Sequence, residues 1–245
     1  MKIDLLTLFP EMFVSPLQFS LLKKAQEKKL VEINIVNIRD FTLDKHKTAD
    51  DSPFGGGSGM VMKAEPLIMA LGSSLPAGKA GVKGQVILMT PSGKKIDQET
   101  AKRLAREKHL TIICGHYEGV DQRFVDKYVD EELSIGDYVL TGGELPALVL
   151  IDAVCRLIPG VVKEADSIVN DSFYNGLLDY PSYTRPEEFE GIKIPEVLKS
   201  GNHREIARWR RKEALKRTLL NRPELLASAG LKEEDKKLLE ELILE

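Results

Sequence analysis

SIGDYVLTGGELP, residues Ser134 to Pro146, is the stretch from which the fold of this chain is read. It joins a Gly-Asp turn, the β-branched and aromatic run Tyr138-Val139-Leu140, a double glycine, and Glu-Leu-Pro opening the apolar run Ala147 to Ile158. A double glycine at a strand-to-helix turn lets backbone groups come close to a ligand, because no Cβ intervenes. Upstream, after the apolar run Leu110 to Cys114, Gly115-His116-Tyr117-Glu118-Gly119-Val120-Asp121 makes a second such turn. Two glycine turns leaving the C-terminal ends of predicted strands point to one ligand crevice, and so to a cofactor site.

Working outward, short apolar runs alternate with helical spacing. Strands are predicted over Ile3 to Phe9, Val31 to Ile38, Gln85 to Met89, Leu110 to Cys114, and Val129 to Leu140 with a turn at Gly136. Helices are predicted over Leu17 to Leu30, Ala64 to Leu71, Asp97 to Lys108 and Glu144 to Ile158. Asp44 to Met62 reads as a polar, glycine-rich loop, and Gly72 to Gly84 as a mobile surface loop. Alternating strands and helices predict an α/β domain with a largely parallel sheet. The pattern stops near Pro159-Gly160. A domain boundary is expected between Ile158 and Asp171, giving a catalytic domain over 1–160, a linker over 161–172 and a helical domain over 173–245.

The chain has 245 residues, 42% apolar and 30% charged, which is ordinary for a globular protein with a real core. A net charge of −3 argues against a protein basic throughout, while leaving room for a local basic patch. Cys114 and Cys155 have neither C-x-x-C spacing nor a small disulfide framework around them and read as reduced thiols. With no signal-peptide pattern and no bilayer-length apolar stretch, a cytoplasmic protein without a membrane partner is expected.

Several chemistries lack their residues. Gly72 to Lys79 has the wrong length for a phosphate loop, and Ala80 stands where a magnesium-holding Ser or Thr belongs. Gly55-Gly56-Gly57-Ser58-Gly59 lacks the order of a dinucleotide fingerprint, so an NAD-dependent oxidoreductase is disfavoured. His46, His109, His116 and His203 are scattered singly, without metal-ligand spacing.

Other residues admit two readings. The Gly55 to Gly59 run is a lid, a close backbone approach or a plain solvent loop. Glu118 and Asp121 either bind ribose hydroxyls or an ammonium, or are satisfied acids of a surface turn. Thr90-Pro91-Ser92-Gly93 is expected as a third crevice wall. Arg156, in an otherwise apolar helix, needs a partner or ligand unless it lies on an exposed stripe. Asn202 and Glu205 form a capping pair ahead of a basic helix. Between Lys193 and Arg222 ten Lys or Arg face three Glu, a local +7 that favours phosphate-backbone binding. Arg204, Arg208, Arg211 and Lys212 fall on one face of that helix, with Ile206, Trp209 and Leu219 expected inward.

With these segments in view, the chain resembles the bacterial tRNA (guanine-N1)-methyltransferases of the SPOUT superfamily, which modify guanosine 37. The resemblance rests on Arg39 to Thr42, Asp51 to Met60, Gly115 to Asp121, Ser134 to Pro146, Arg156 to Gly160, Asp171-Ser172-Phe173 and Tyr183 to Pro186, in order. It implies a deep trefoil knot in the α/β domain, a small all-α C-terminal domain, and a homodimer whose active sites are shared between subunits. It implies S-adenosylmethionine as methyl donor, held by Met89, Pro91, Gly115, Tyr117, Gly119, Ser134, Ile135, Gly136, Tyr138, Leu140, Gly142, Gly143 and Pro146. By the same match Asp171 is the general base, with Arg156 and Glu118 completing the catalytic set. Arg204, Arg208, Arg211, Lys212 and Arg185 are expected on tRNA phosphates, and the aromatics Phe173, Tyr174, Tyr180 and Tyr183 to stack on RNA or pack within their own domain. The family also responds to magnesium. The rival readings are a knotted methyltransferase acting on ribosomal RNA or a ribose hydroxyl, and a non-enzymatic RNA-binding module.

Overall fold

The structure, a computed structural model, describes residues 1–74 and 84–244. The chain divides into two compact units, Met1–Lys163 and Glu164–Glu245.

In the first unit the elements run β1 (Lys2–Thr7), α1 (Glu11–Val14), α2 (Ser20–Glu27), β2 (Glu32–Asn37), β3 (Asp50–Asp51), β4 (Val61–Met62), α3 (Ala64–Ser74) and β5 (Gln85–Lys95). They continue with α4 (Gln98–Leu104), β6 (His109–Cys114), α5 (Gln122–Tyr128), β7 (Glu131–Ser134) and α6 (Glu144–Cys155). Five strands form one sheet in the order β2-β1-β6-β5-β7, and every neighbouring pair in it is parallel. Alternate side chains feed two cores. Ile3, Leu5, Ile87, Met89, Leu110 and Ile112 pack with Ala25, Leu104, Ala147, Ile151 and Val154 of α2, α4 and α6. On the other face Leu6, Val86, Leu88 and Ile113 meet Leu67, Ala70 and Phe124 of α3 and α5. A sheet covered on both faces accounts for strands that read as unbroken apolar runs rather than alternating ones.

The structure corrects several expectations. The segment expected as a strand over Val129 to Leu140 pairs only over β7, and residues 135–143 leave the sheet. Helix α5 was not expected from the pattern. Asp121 starts it, accepting hydrogen bonds from Arg123 N at 3.0 Å and from Arg123 Nε at 2.9 Å, so this carboxylate serves as a cap and does not line the crevice. Those bonds hold the Asp121 carboxyl below the usual range.

The expected helix over Leu17 to Leu30 is a short 3-10 turn over Pro16–Gln18 followed by α2. The Asp44 to Met62 loop contains the antiparallel pair β3–β4. Helix α4 is shorter than expected, with Asp97 Oδ1 capping Thr100 N at 2.7 Å. The strand from Gln85 continues past Met89, with a register shift between Met89 and Lys94 against β7. Of the loop expected over Gly72 to Gly84, Gly72 to Ser74 belong to α3 and residues 75–83 lie outside the described residues.

The second unit contains α7 (Ala165–Val169), the antiparallel pair β8 (Glu188–Phe189) and β9 (Ile192–Lys193), then α8 (His203–Asn221), α9 (Glu224–Ser228) and α10 (Glu233–Leu244). It is mainly helical, with one two-stranded ladder in addition. Leu177, Leu215 and Leu238 form its core, and the Asn202 side chain caps α8 by accepting from Arg204 N and Glu205 N.

Candidate functional site

The point near Met89 where β5 stops pairing with β6, and the C-terminal ends of β6 and β7, open on one crevice. It is lined by Leu88 to Pro91, Gly115 to Val120, Leu133 to Gly136, Tyr138 to Gly143 and Pro146. Both glycine turns read from the sequence converge here, along with Thr90 and Pro91 of the third wall; Ser92 and Gly93 do not line it. All thirteen residues expected to hold S-adenosylmethionine line it, and so does Glu118. The other end of α6 carries Arg156, half-buried at its C-cap and outside the lining. At 1.5 Å rise per residue it lies about 18 Å along the helix from Glu144.

The crevice is assembled from segments far apart in sequence. Gly143 N donates to Gly115 O at 2.7 Å, and Gly142 bridges His116 in antiparallel sense. The glycine-rich run is tied to the same turn, with Glu118 N donating to Met60 O at 3.0 Å and Met62 N to Gly119 O at 2.9 Å. Gly59 has φ +92°, and a Cβ on it would stand 2.5 Å from Glu118 Cγ. Of the readings open for this run, a close backbone approach holds at Gly59. Tyr117 Oη accepts from Arg39 Nη2 at 3.3 Å.

His116, which lines the crevice with its ring 4.9 Å from Phe9 and 4.8 Å from Tyr117, and Glu144, buried behind the lining, lie in the two glycine turns read from the sequence but were not among the expected site residues. The two buried thiols, Cys114 next to the crevice residue Gly115 and Cys155 at the far end of α6, are poor nucleophiles at neutral pH. Burial, reinforced by the Glu144 carboxylate, pushes the Cys114 thiol well up; burial likewise pushes Cys155 to about 12.

Apolar walls, exposed backbone edges and one rim carboxylate suit a flat heteroaromatic base with a cationic appendage. They fit a nucleoside sulfonium such as S-adenosylmethionine. No group of three or more His, Cys, Asp or Glu that could hold a metal ion occurs among the described residues.

Asp171 lies in the second unit, half-buried. It lines a cavity of that unit with Asn170, Asn175, Asp179, Tyr180 and Arg210. The aromatics there pack internally: Arg210 over the Tyr180 ring at 4.9 Å, Arg222 over Phe173 at 5.6 Å, and Tyr183 against Trp209 at 6.3 Å.

The basic face of α8 is oriented differently from the sequence reading. Arg204, Arg208, Arg211 and Lys212 do share a face, but it is the one that carries buried Leu215 and meets α10. Arg208 pairs with Glu241 at 2.7 Å and Lys212 with the same carboxylate at 3.6 Å. Arg211 makes a two-point contact with Asp235, 2.6 and 2.8 Å. Ile206 and Trp209, expected inward, lie half-buried on the opposite side, toward Tyr183 in the case of Trp209. Arg204 and Arg185 are exposed and make no ion pair among the described residues.

The hydrogen bonds from Arg211 hold the Asp235 carboxyl below its ordinary range. A lowered carboxylate contributes stability that is complete above its unfolded value, near 4, and lost as pH falls through the folded one. Asp235→Asn is therefore expected to destabilise the second unit by roughly 1–3 kcal/mol at pH 7. The difference from the native chain should shrink on acidification below about pH 4. Thermal melts of both chains from pH 7 to pH 3 check this; a gap that persists unchanged at pH 3 would count against the Arg211 contact as its source.

A three-layer α/β unit with a glycine-walled crevice where its parallel ladders end has the architecture in which nucleotide-like ligands are commonly bound, at the carboxyl ends of the strands. Residues 1–228 match the model of the tRNA (guanine-1)-methyltransferase TrmD family, and the chain belongs to that family. It is 57% identical over 244 residues to the tRNA (guanine-N(1)-)-methyltransferase of Pelotomaculum thermopropionicum, covering 99% of this chain and 96% of that one. Like-named proteins of Desulforamulus reducens and Dictyoglomus turgidum are 56% and 55% identical, each over 99% of this chain and 95% and 96% of theirs. The chain is thus a tRNA (guanine-N1)-methyltransferase, and the ribosomal, ribose-directed and non-enzymatic readings give way. No helix among the described residues is long and apolar enough to cross a membrane.

Proposed function

We propose that the chain methylates N1 of guanosine 37 in the tRNA anticodon loop, with S-adenosylmethionine in the crevice of the first unit and Asp171 as general base. The observation that carries this reading is the convergence of the three motif stretches, Met89 to Pro91, Gly115 to Gly119 and Ser134 to Pro146, on one crevice. The bound cofactor supplies a methyl group on a sulfonium, an electrophile that needs no further activation. The chain's own task is at the acceptor. Guanine N1 carries a proton and is a poor nucleophile until a positioned carboxylate removes it. Negative charge then builds on O6, and a guanidinium such as Arg156 stabilises it. Glu118, on the rim, orients the cationic end of the cofactor.

The reading includes a homodimer. Arg156 is about 15 Å along α6 from Pro146, the residue by which that helix lines the crevice of its own chain, so in this reading it serves the crevice of a second copy. Leu145 and Val149, each 50% exposed, lie with Arg156 on one stripe of α6, and an apolar stripe of this kind suits a subunit contact. We place the trefoil knot where the segment 135–143 passes the Gly115–His116 turn. The helical second unit holds the tRNA: Arg204 and Arg185 meet phosphates directly, while Arg208, Arg211 and Lys212 do so by exchanging Glu241 and Asp235.

Methyl transfer to an unmodified tRNA transcript with guanosine at 37, beside the same transcript with adenosine there, tests the function. Label is expected on the first alone and mapped to N1-methylguanosine. Equal labelling of both transcripts would discard position 37 as the target.

A further inference from the structure

Behind the crevice lies a buried acid to which the proposed chemistry gives no role. Glu144 is 1% exposed, and its Oε1 accepts a hydrogen bond from Thr7 Oγ1 at 2.8 Å. Thr7, fully buried at the end of β1, also accepts from Phe9 N at 2.9 Å through the same oxygen. A buried carboxylate is costly, and a hydroxyl donor together with the amides of the first turn of α6 offsets part of that cost.

The other carboxylate oxygen faces the double glycine. A Cβ on Gly142 would collide with Glu144 Oε2 and stand 2.5 Å from His116 Cδ2. The His116 ring is in turn held by Phe9, at 4.9 Å, and its Nδ1 is buried without a hydrogen-bond partner. Thr7, Glu144, Gly142, His116 and Phe9 thus form a closed circuit around the point where the segment 135–143 enters α6. Both glycines of that point line the crevice.

We infer that Glu144 is a positioning residue for the methyl donor: its hydrogen bond with Thr7 fixes Gly142 and Gly143 against the Gly115–His116 turn and so sets the crevice wall. The inference rests on the reading of the crevice as the S-adenosylmethionine site. Backbone groups recognise a ligand only when they are held still, and a wall that is loose by about 1 Å binds its ligand less tightly.

Equilibrium binding of S-adenosylmethionine to the full-length enzyme, with kcat, KM and melting temperature, is the test. Thr7→Val removes the donor with little change of shape, and Glu144→Ala removes the acceptor. Each is expected to weaken S-adenosylmethionine binding roughly tenfold, the size of one well-placed hydrogen bond. Turnover at saturating donor should stay within about threefold, and tRNA affinity should not change. Because the two variants share the Thr7–Glu144 contact, while Thr7→Val also frees Phe9 N, the double variant should be weaker by clearly less than the product of the two single effects. Glu144→Gln, which keeps an acceptor for Thr7, should recover most of the affinity.

A merely structural role would lower the melting temperature and leave the affinity of the folded enzyme intact. Unchanged affinity in Thr7→Val, or effects that multiply in the double variant, would overturn the inference even if Glu144→Ala fails to fold. Failure of the unaltered enzyme to bind S-adenosylmethionine would instead sink the assignment of the crevice.

Discussion

Asp171→Ala is expected to bind both S-adenosylmethionine and tRNA at native affinity and to lose nearly all methyl transfer. The size of the effect follows from the acceptor. With N1 protonated the guanine lone pair is tied up in the ring, so the loss of a positioned base is expected to cost about 10²–10⁴ in rate. Asp171 is half-buried in the wall of a cavity formed by its own unit. Its backbone N donates to Ile168 O at 3.3 Å, and its carbonyl accepts from Tyr174 N at 3.2 Å. Those backbone bonds survive truncation of the side chain, which is why the variant is expected to stay folded. Asp171→Asn keeps the volume and removes the basicity, so it should fail to about the same degree. Single-turnover rates with both ligands saturating, next to melting temperatures, decide the matter. A variant that turns over at even a tenth of the native rate would remove Asp171 as the base. Lost activity with lost tRNA binding would instead make it a residue that shapes the second unit.

How much of this was legible in the sequence differs between the two units. Apolar runs such as Leu110 to Cys114 gave the central strands correctly because strands buried on both faces carry no competing polar signal. Residues 135–143 misled for the same reason: Tyr138-Val139-Leu140 is as apolar and β-prone as a strand, yet in the structure all three are exposed at the crevice mouth and pair with nothing in the sheet. The crevice lining was legible through its glycines, which mark backbone approach whatever the tertiary context. Glu144 was not, since a Glu opening a helix usually reads as a solvent-exposed residue suited to the helix dipole. In the second unit the clustering of Arg204, Arg208, Arg211 and Lys212 on one helix face was read correctly and its direction was not. The acids that answer them, Asp235 and Glu241, lie twenty or more residues further on, beyond the reach of helical periodicity.

Gly143→Ala is expected to have the largest effect of any single methyl group added to the crevice. A Cβ there would stand 2.7 Å from Cys114 Cα and 2.8 Å from Gly115 N, whereas carbon–carbon contact is comfortable at about 3.5–4.0 Å. Both obstacles are backbone, and that backbone belongs to the buried end of β6, so no side chain can swing aside to make room. The Gly143 N–Gly115 O hydrogen bond, 2.7 Å long, must stretch if the two segments part. Overpacking of this kind costs roughly 1–3 kcal/mol where side chains yield, and an obstacle made of backbone puts this site at the upper end. That loss lowers the melting temperature by several degrees in a chain of this size. It also displaces the crevice wall, so donor affinity should fall by well over tenfold. Gly72→Ala is the matched contrast: Gly72 sits in α3 with nothing within 4 Å of an added Cβ. There the same methyl group should stabilise by about 0.5–1 kcal/mol through helix propensity alone. Thermal melts and donor-binding isotherms of the two variants should therefore move in opposite directions or, for Gly72→Ala binding, not at all. A Gly143→Ala enzyme that melts and binds like the native one would mean the two turns do not meet as closely as the crevice requires.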